Sequence, residues 1–332
     1  DKSFIEVLVD NIDMASDGEE ILLNAVIFDS ENQTIDIDFK NVDLAKVTPS
    51  LKNLQLGGAV NGNLNITETE GVFFPKSSLI INNFKVNDFN LGSFKSDIQG
   101  NESLTDYDVK LSLKDSINET LSVLGSFDVS GDNPNLAIDV SFNNFILNPL
   151  NPFGADVITN IHGGISGFVS VTGQLEKPQI EGRLVLNNGG LAIPYLNVGY
   201  DFAESTVIDL KKQSFIFNKA SMRDINFQSE AFLSGSINHN NFSNWSLDLN
   251  IDSDRLLVLN TTEQDESIYY GTAFVDGIIE GIVEKIGFRS TTIRKFDKSL
   301  AIIPNFQFAE NAVVNVSETS NWLISWIITL QY

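Results

Sequence analysis

Apolar and polar residues alternate one by one along much of this chain. The pattern is clear in Ile35–Phe39, Val109–Leu113, Leu121–Val129, Leu136–Phe142 and Leu247–Ile251. Successive side chains of a β-strand point to opposite faces, so each run places its apolar residues on one face. The alternation predicts an all-β protein with a long sheet that is apolar on one face only.

Clusters of turn-forming residues separate many of these runs. They include Gly57-Gly58, Ser130–Pro134, Gly163-Gly164 and Asn187–Gly190. Glycine, proline, asparagine and aspartate favour turns, so these clusters are predicted to connect short strands. Helix signals are sparse, and prolines keep the two candidate segments, 45–54 and 145–158, short.

A sheet that is apolar on one face must cover that face. It can close into a barrel, stack as a sandwich, wind as a solenoid or fold over itself into a trough. A trough differs from the other three because its apolar inner face stays accessible and can hold a greasy ligand.

The most informative segment, Gly163–Tyr200, reads GGISGFVSVTGQLEKPQIEGRLVLNNGGLAIPYLNVGY. Pro178 cannot donate to a ladder and marks a turn between two strands of matched phase. Gly173 and Gly182 lie in phase with the apolar face, where a missing side chain permits a sharp bend or the close approach of another layer. The alternating apolar residues either form a sealed core or line a groove. These groove candidates are Val169, Val171, Leu175, Ile180, Leu184 and Leu186.

The glycine, proline and apolar pattern from Gly167 to Tyr200 resembles the C-terminal domain of TamB in the AsmA/TamB-like family. A weaker echo runs from Leu56 to Ile66, and the resemblance covers residues 1–276. It implies a β-trough or taco-like solenoid in the periplasm that bridges the inner and outer membranes. The implied anchor in the inner membrane is a segment absent here, in keeping with a chain that opens on Asp1-Lys2-Ser3 as a fragment or processed product would.

The family resemblance also implies a function in envelope biogenesis. The trough would guide phospholipid acyl chains or unfolded outer-membrane protein, together with a TamA-like outer-membrane barrel. An apolar face suits a lipid tail. The alternative from another class is a protein-binding scaffold that pairs a partner strand with an exposed sheet edge.

The last 56 residues differ in charge from the rest of the chain. Residues 277–332 carry five Lys/Arg and five Asp/Glu, so the net charge of −23 belongs to residues 1–276. Such a shift indicates a domain boundary. The motif of this segment consists of Gly287, Arg289, Ser290, Thr291, Pro304 and Asn305.

This motif resembles the β-domain of MscS-type mechanosensitive channels, and the resemblance implies a fragment of a small Sm-like barrel. The motif residues would be structural, and the channel activity does not carry over because no pore helix precedes the segment. A channel-associated β-domain is therefore a further alternative function. The junction between the TamB-like and the MscS-like segment has three explanations. It is an artefact, a natural fusion or an over-interpretation of one of the two resemblances.

Composition argues against several other functions. A sequence pI near 4.3 disfavours a nucleic-acid partner, because phosphates would be repelled. The chain has no cysteine, and neither His162 nor His239 has a metal-ligand spacing. No phosphate loop, dinucleotide fingerprint or nucleophile elbow occurs. We therefore expect a protein that is not an enzyme and needs no metal or cofactor.

Overall fold

Nineteen strands lie within the part of the chain that the structure describes, and they form one antiparallel sheet. The structure is a computed structural model, which describes residues 7–16, 18–27, 31–48, 54–154, 157–241, 243–262, 270–286, 290–294 and 300–304. Consecutive strands pair along the chain as a meander, and the all-β prediction is confirmed. The strands are β1 Val7–Ser16, β2 Glu19–Ile27, β3 Gln33–Asp43, β4 Leu56–Thr69, β5 Val72–Val86, β6 Phe89–Gly100, β7 Asp106–Lys114, β8 Glu119–Asp128, β9 Asn135–Ile146, β10 Thr159–Gln174, β11 Gln179–Ile193, β12 Val198–Phe202, β13 Thr206–Lys212, β14 Ser214–Asp224, β15 Glu230–Asn240, β16 Ser243–Thr261, β17 Gly271–Ile286, β18 Ser290–Arg294 and β19 Leu300–Pro304.

Strands β12 and β13 share one position in the sheet. Both pair with β11 on one side and with β14 on the other. They act as a single strand interrupted between Phe202 and Thr206, opposite the segment Asn187–Gly189 of β11.

Three of the predicted turns are instead bulges inside strands. Gly58 lies in β4 with a φ of 129°, Gly163 lies in β10 with a φ of 100°, and Asn188 lies in β11 with a φ of 48°. Glycine and asparagine adopt positive φ at low cost, and a bulge uses that freedom to bend a strand without ending it. The predicted turn at Ser130–Pro134 does join β8 to β9.

Side chains from neighbouring strands also bind backbone N–H groups at three further bulges, in β3, β9 and β14. Asn61 Oδ1 accepts from the N–H of Asn41, Ser166 Oγ from that of Asn144, and Ser234 Oγ from that of Lys219, at 3.0, 2.9 and 3.1 Å. All three residues whose N–H groups donate have positive φ. The same device therefore recurs in three separate parts of the sheet.

The sheet curls, because strands that are not neighbours in it make direct contact. Tyr200 Oη of β12 donates to the carbonyl of Leu257 in β16 at 2.8 Å, and Asn197 Nδ2 donates to that of Asn260 at 2.6 Å. At another place Asn87 Nδ2 donates to the carbonyl of Pro149 at 2.9 Å. These contacts give the one-sided sheet the trough-like curvature that the sequence predicts.

Two short helical segments occur where the sequence predicts them, and a third was not predicted. The α-helix α1 covers Leu44–Val47 and ends before Pro49, with Asp43 Oδ1 accepting from the N–H of Ala45. A 3₁₀ helix covers Asn148–Gly154 in the β9–β10 connection, and a second covers Pro194–Leu196.

The predicted domain boundary at residues 276 and 277 falls inside β17. This strand pairs with β16 from Gly271 to Ile286 with local register shifts, so it continues the sheet across the boundary. The described part of the expected Sm-like barrel consists of β17–β19, and residues 305–332 lie outside the described residues.

Candidate functional site: the inner apolar face

The pairing register aligns one residue from most strands into a single row across one face of the sheet, the inner face. We call it the central row, and it passes without a break in register from β2 to β16. Two glycines and one serine interrupt an otherwise apolar series. The row is Ile21, Phe39, Gly62, Leu79, Ser96, Leu111, Val123, Val140, Val169, Gly182, Leu210, Phe215, Ile237 and Leu247.

A second row, the flanking row, runs beside it on the same face. Cross-strand neighbours on one face lie close enough to pack, so the two rows form a continuous apolar band. The flanking row is Val42, Val60, Ile81, Phe94, Leu113, Leu121, Phe142, Gly167, Leu184, Ile208, Phe217, Gly235 and Leu249.

Burial along the central row changes with position. Leu111, Val123 and Val140 are half-buried, whereas Val169 and Leu210 are only 5% and 8% exposed. In the flanking row beside Leu111, Leu113 is only 1% exposed, so the half-buried part also contains a sealed position. Val169 and Leu210 pack in one cluster with residues from β9, β10, β11, β13 and β14.

The structure brings most of the predicted groove residues together. Val169, Ile180 and Leu184 are buried in that cluster, and Val171 packs against them half-buried. Leu186 is also buried. Leu175 lies apart from the others in the β10–β11 turn and is 49% exposed.

The predicted turn and bend residues lie at or near the same hairpin. Pro178 directly precedes β11 and is buried. Gly173 has a φ of 89° near the end of β10. A Cβ on Gly182 would clash with the carbonyl oxygen of Phe168, so this glycine permits a close approach of the neighbouring strand rather than of another layer.

The outer face of the same strands carries hydrogen-bonded polar side chains, with some apolar side chains exposed among them, such as Leu124, Phe168 and Val207. Ser170 Oγ donates to Asp139 on the adjacent strand, and Arg183 Nε donates to Asp209 Oδ1 at 2.6 Å. Hydrogen bonds from Lys95 and then Ser78 lower the pKa of Asp97. The inner band is therefore the more continuously apolar of the two faces.

The buried carboxylate of Asp224 stabilises the β14–β15 turn. It is not among the residues predicted from the sequence. Asp224 is fully buried and accepts from the N–H groups of Asn226, Phe227 and Ser229 at 3.0, 2.7 and 2.6 Å, and from the Ser229 hydroxyl. Burial alone would raise the pKa of Asp224, but these hydrogen bonds outweigh it and lower the pKa. In turns, an aspartate side chain commonly accepts hydrogen bonds from the backbone N–H groups two and three residues later. This pattern is the sequence signal that could have identified Asp224.

Tyr200 lies opposite Asp224 in the sheet and joins β12 to β16 by its hydrogen bond with Leu257. Burial, and then the nearby negative charge of Asp224, raise the pKa of the Tyr200 phenol. Its hydroxyl therefore stays protonated and keeps donating. The arrangement is structural, since the phenol is committed to a backbone carbonyl.

The two histidines serve local packing. His162 Nδ1 lies 2.7 Å from the carbonyl oxygen of Asn160, and its Nε2 lies 3.2 Å from Asp201 Oδ1. His239 is buried against Phe215 and Trp245, and this burial lowers its pKa. Across the described ranges, no group of three or more His, Cys, Asp or Glu side chains could hold a metal ion.

The fold and the inner band define the class of this chain as a one-sided, curved antiparallel β-sheet protein. Among its described residues, no helix is both long and apolar enough to cross a membrane. In the C-terminal part, Ser290 lies opposite Pro304 and Thr291 opposite Ile303, so β18 and β19 bring part of the predicted motif together. Gly287, Arg289 and Asn305 lie outside the described residues.

Comparison with known proteins finds similarity in this C-terminal part. The family "Mechanosensitive ion channel, beta-domain" matches residues 273–318. The large-conductance mechanosensitive channel MscMJLR of Methanocaldococcus jannaschii is 40% identical over 52 residues, which are 16% of this chain and 14% of the channel. The small-conductance channel MscMJ of the same organism is 43% identical over 53 residues, 16% of this chain and 15% of the channel. No solved structure matches.

These matches support the predicted channel-type β-domain segment. The family match begins at residue 273, four residues before the start of the predicted segment at residue 277. The chain spans only about one seventh of the length of either channel. The resemblance of residues 1–276 to the AsmA/TamB-like family receives no support from them and stays a prediction.

Proposed function

We propose that this chain is a non-catalytic β-scaffold that joins a mechanosensitive-channel-type assembly through its C-terminal strands. The match of residues 273–318 to the channel β-domain carries this proposal. The continuous pairing of β17 with β16 supports it further, because a load on β18 and β19 would pass directly into the long sheet.

The test is co-purification of the full chain with mechanosensitive channel subunits from its source cells. Thr292→Pro removes a backbone donor in β18 and should abolish co-purification. Ser116→Pro is the matched control, since Ser116 lies in the exposed β7–β8 turn, where proline fits. Loss of channel subunits with both variants, or with neither, would contradict the proposal.

A second function is favoured by the inner apolar band. We infer that the half-buried part of the band, around Leu111, Val123 and Val140, binds acyl chains of phospholipid or apolar segments of unfolded outer-membrane protein. These side chains are apolar, aligned in one row and partly accessible, and this combination supports binding of an apolar ligand. Such a scaffold would work in the periplasm, anchored in the inner membrane and paired with a TamA-like barrel.

Photo-crosslinking tests the second function on single strands. A crosslinker at Leu111 or Val123 should capture phospholipid, whereas one at Lys110 or Ser122, their outward neighbours, should not. Equal capture from both faces would mean that the band is not the binding surface.

A further inference from the structure

A cavity lies where the channel-like segment meets the rest of the sheet. Its volume is about 380 Å³, and it opens between the β14–β15 turn, β15, β16 and β17. Its aromatic walls are Phe227 in the turn, Phe232 in β15 and Phe274 in β17. Phe274 belongs to the segment that matches the channel β-domain, so both parts of the chain are needed to build the cavity.

The aromatic walls already hold two cations of the chain. Lys219 Nζ lies 4.8 Å from the centre of the Phe232 ring. The guanidinium carbon of Arg255 lies 4.2 Å from the centre of the Phe274 ring. Phe227 packs edge-on against the same ring, with the centroids 5.3 Å apart. A ring face carries negative electrostatic potential, so this geometry is that of a cation–π contact.

The charges around the cavity also favour a cation. Glu230, Asp252 and Asp254 line it. Glu230 is paired with Arg223. No hydrogen bond or ion pair to Asp252 or Asp254 is found among the residues described, and both are exposed. Among the residues that line the cavity, the carboxylates of Asp252 and Asp254 outnumber the guanidinium of Arg255, so the lining keeps a negative balance.

We propose that this cavity binds a small organic cation of the quaternary ammonium class, with Arg255 as the internal group that the ligand displaces or joins. Aromatic faces next to carboxylates recognise such cations, because the charge is diffuse and its methyl groups are apolar. The volume lies within the range of small-molecule sites. Asp252 and Asp254 supply the charge, and Phe274 supplies the ring face.

Choline is the probe, and its neutral isostere 3,3-dimethyl-1-butanol is the control ligand. Titration of the full chain, followed by the N-methyl proton resonance, should give a millimolar dissociation constant and an upfield shift from the ring currents. The neutral isostere should bind at least about fivefold more weakly. Equal binding of the two compounds would overturn the proposal.

Variants locate the binding site. Phe274→Leu keeps an apolar side chain but removes the ring and should weaken choline binding about two- to fivefold. Asp252→Asn should weaken it about twofold, whereas Asp248→Asn, the same change on the outer face of β16 outside the cavity lining, should leave it unchanged. If the two Asp→Asn changes weaken choline binding equally, the effect comes from the net charge of the protein and the proposed site is refuted. Denaturant unfolding of Phe274→Leu checks that the fold persists.

The cation has two possible sources, and a second titration separates them. The probe is monomeric short-chain phosphatidylcholine. If it binds more tightly than choline, and if Phe274→Leu removes that difference, the site binds a lipid head group. Equal affinity for both assigns it to a free cation. If Phe274→Leu leaves phosphatidylcholine binding unchanged, the lipid head group does not bind in this cavity.

Discussion

Two parts of the sheet share the same alternation of apolar and polar residues but differ in burial. The open stretch, β6–β9, keeps most of its inward apolar side chains half-buried. The folded end, β11–β16, buries nine residues in one cluster, among them Val198, Met222 and Leu257. The difference comes from contacts between strands that are not neighbours, such as Tyr200 with Leu257. Alternation therefore determines which face a side chain lies on, and curvature determines how far that face is sealed.

Truncation of inward residues should separate the two parts most clearly. Leu257 is 0% exposed, so Leu257→Ala removes a packed side chain and should lower the free energy of unfolding by about 2–5 kcal/mol. Val123→Ala in the open stretch should lower it by about 1 kcal/mol or less, because part of that side chain is already hydrated. Denaturant unfolding measures both, and similar losses would mean that the two parts are equally sealed.

Removal of a buried charge should have the next largest effect. Asp224→Asn places an amide among donors that need an acceptor, and it should cost about 2–3 kcal/mol near neutral pH. Asp139→Asn, on the exposed outer face of the open stretch, should cost less than about 0.5 kcal/mol. Denaturant unfolding of both variants provides the comparison.

The acid side of the pH–stability curve tests the same group. The folded pKa of Asp224 is lowered, so its contribution is present above the unfolded pKa of about 3.9 and is lost as pH falls through the folded pKa. The wild type should therefore lose more stability than Asp224→Asn on acidification. Parallel curves would exclude Asp224 as a source of this loss.

Tyrosine hydroxyls provide a smaller and more local comparison. Tyr200→Phe removes the hydrogen bond to Leu257 and should cost about 1 kcal/mol. Tyr107→Phe in the open stretch should cost nearly nothing, since no hydrogen bond of its hydroxyl is found within the described residues. The pKa of Tyr200 is raised, so its contribution is complete below about pH 10 and is lost as pH rises through the folded pKa. Alkaline unfolding curves of wild type and Tyr200→Phe should differ accordingly.

The sequence predicts the strands and their faces well because alternation is a local property. It correctly places Val169, Ile180 and Leu184 on one face. It does not predict that Leu175 lies apart from them, because the last residue of an alternating run can already belong to a turn. It also mistakes Gly58, Gly163 and Asn188 for turn residues, since bulges and turns use the same positive φ. Tyr200 and the cavity beside Phe274 depend on contacts between distant strands, which local patterns do not encode. Asp224 accepts from N–H groups of its own turn, so a local pattern was present there and was overlooked.

The smallest predicted effect tests whether bulges themselves cause the difference between the two parts. Ser234→Ala in the folded end removes the acceptor for the N–H of Lys219, and Ser166→Ala removes the acceptor for that of Asn144 in β9 of the open stretch. Each change should cost about 0.5–1 kcal/mol by denaturant unfolding, because each leaves one backbone donor to water. Equal costs would mean that bulges bend both parts alike and that the distant contacts seal the folded end. A clearly larger cost for Ser234→Ala would instead attribute the sealing to the bulge in β14.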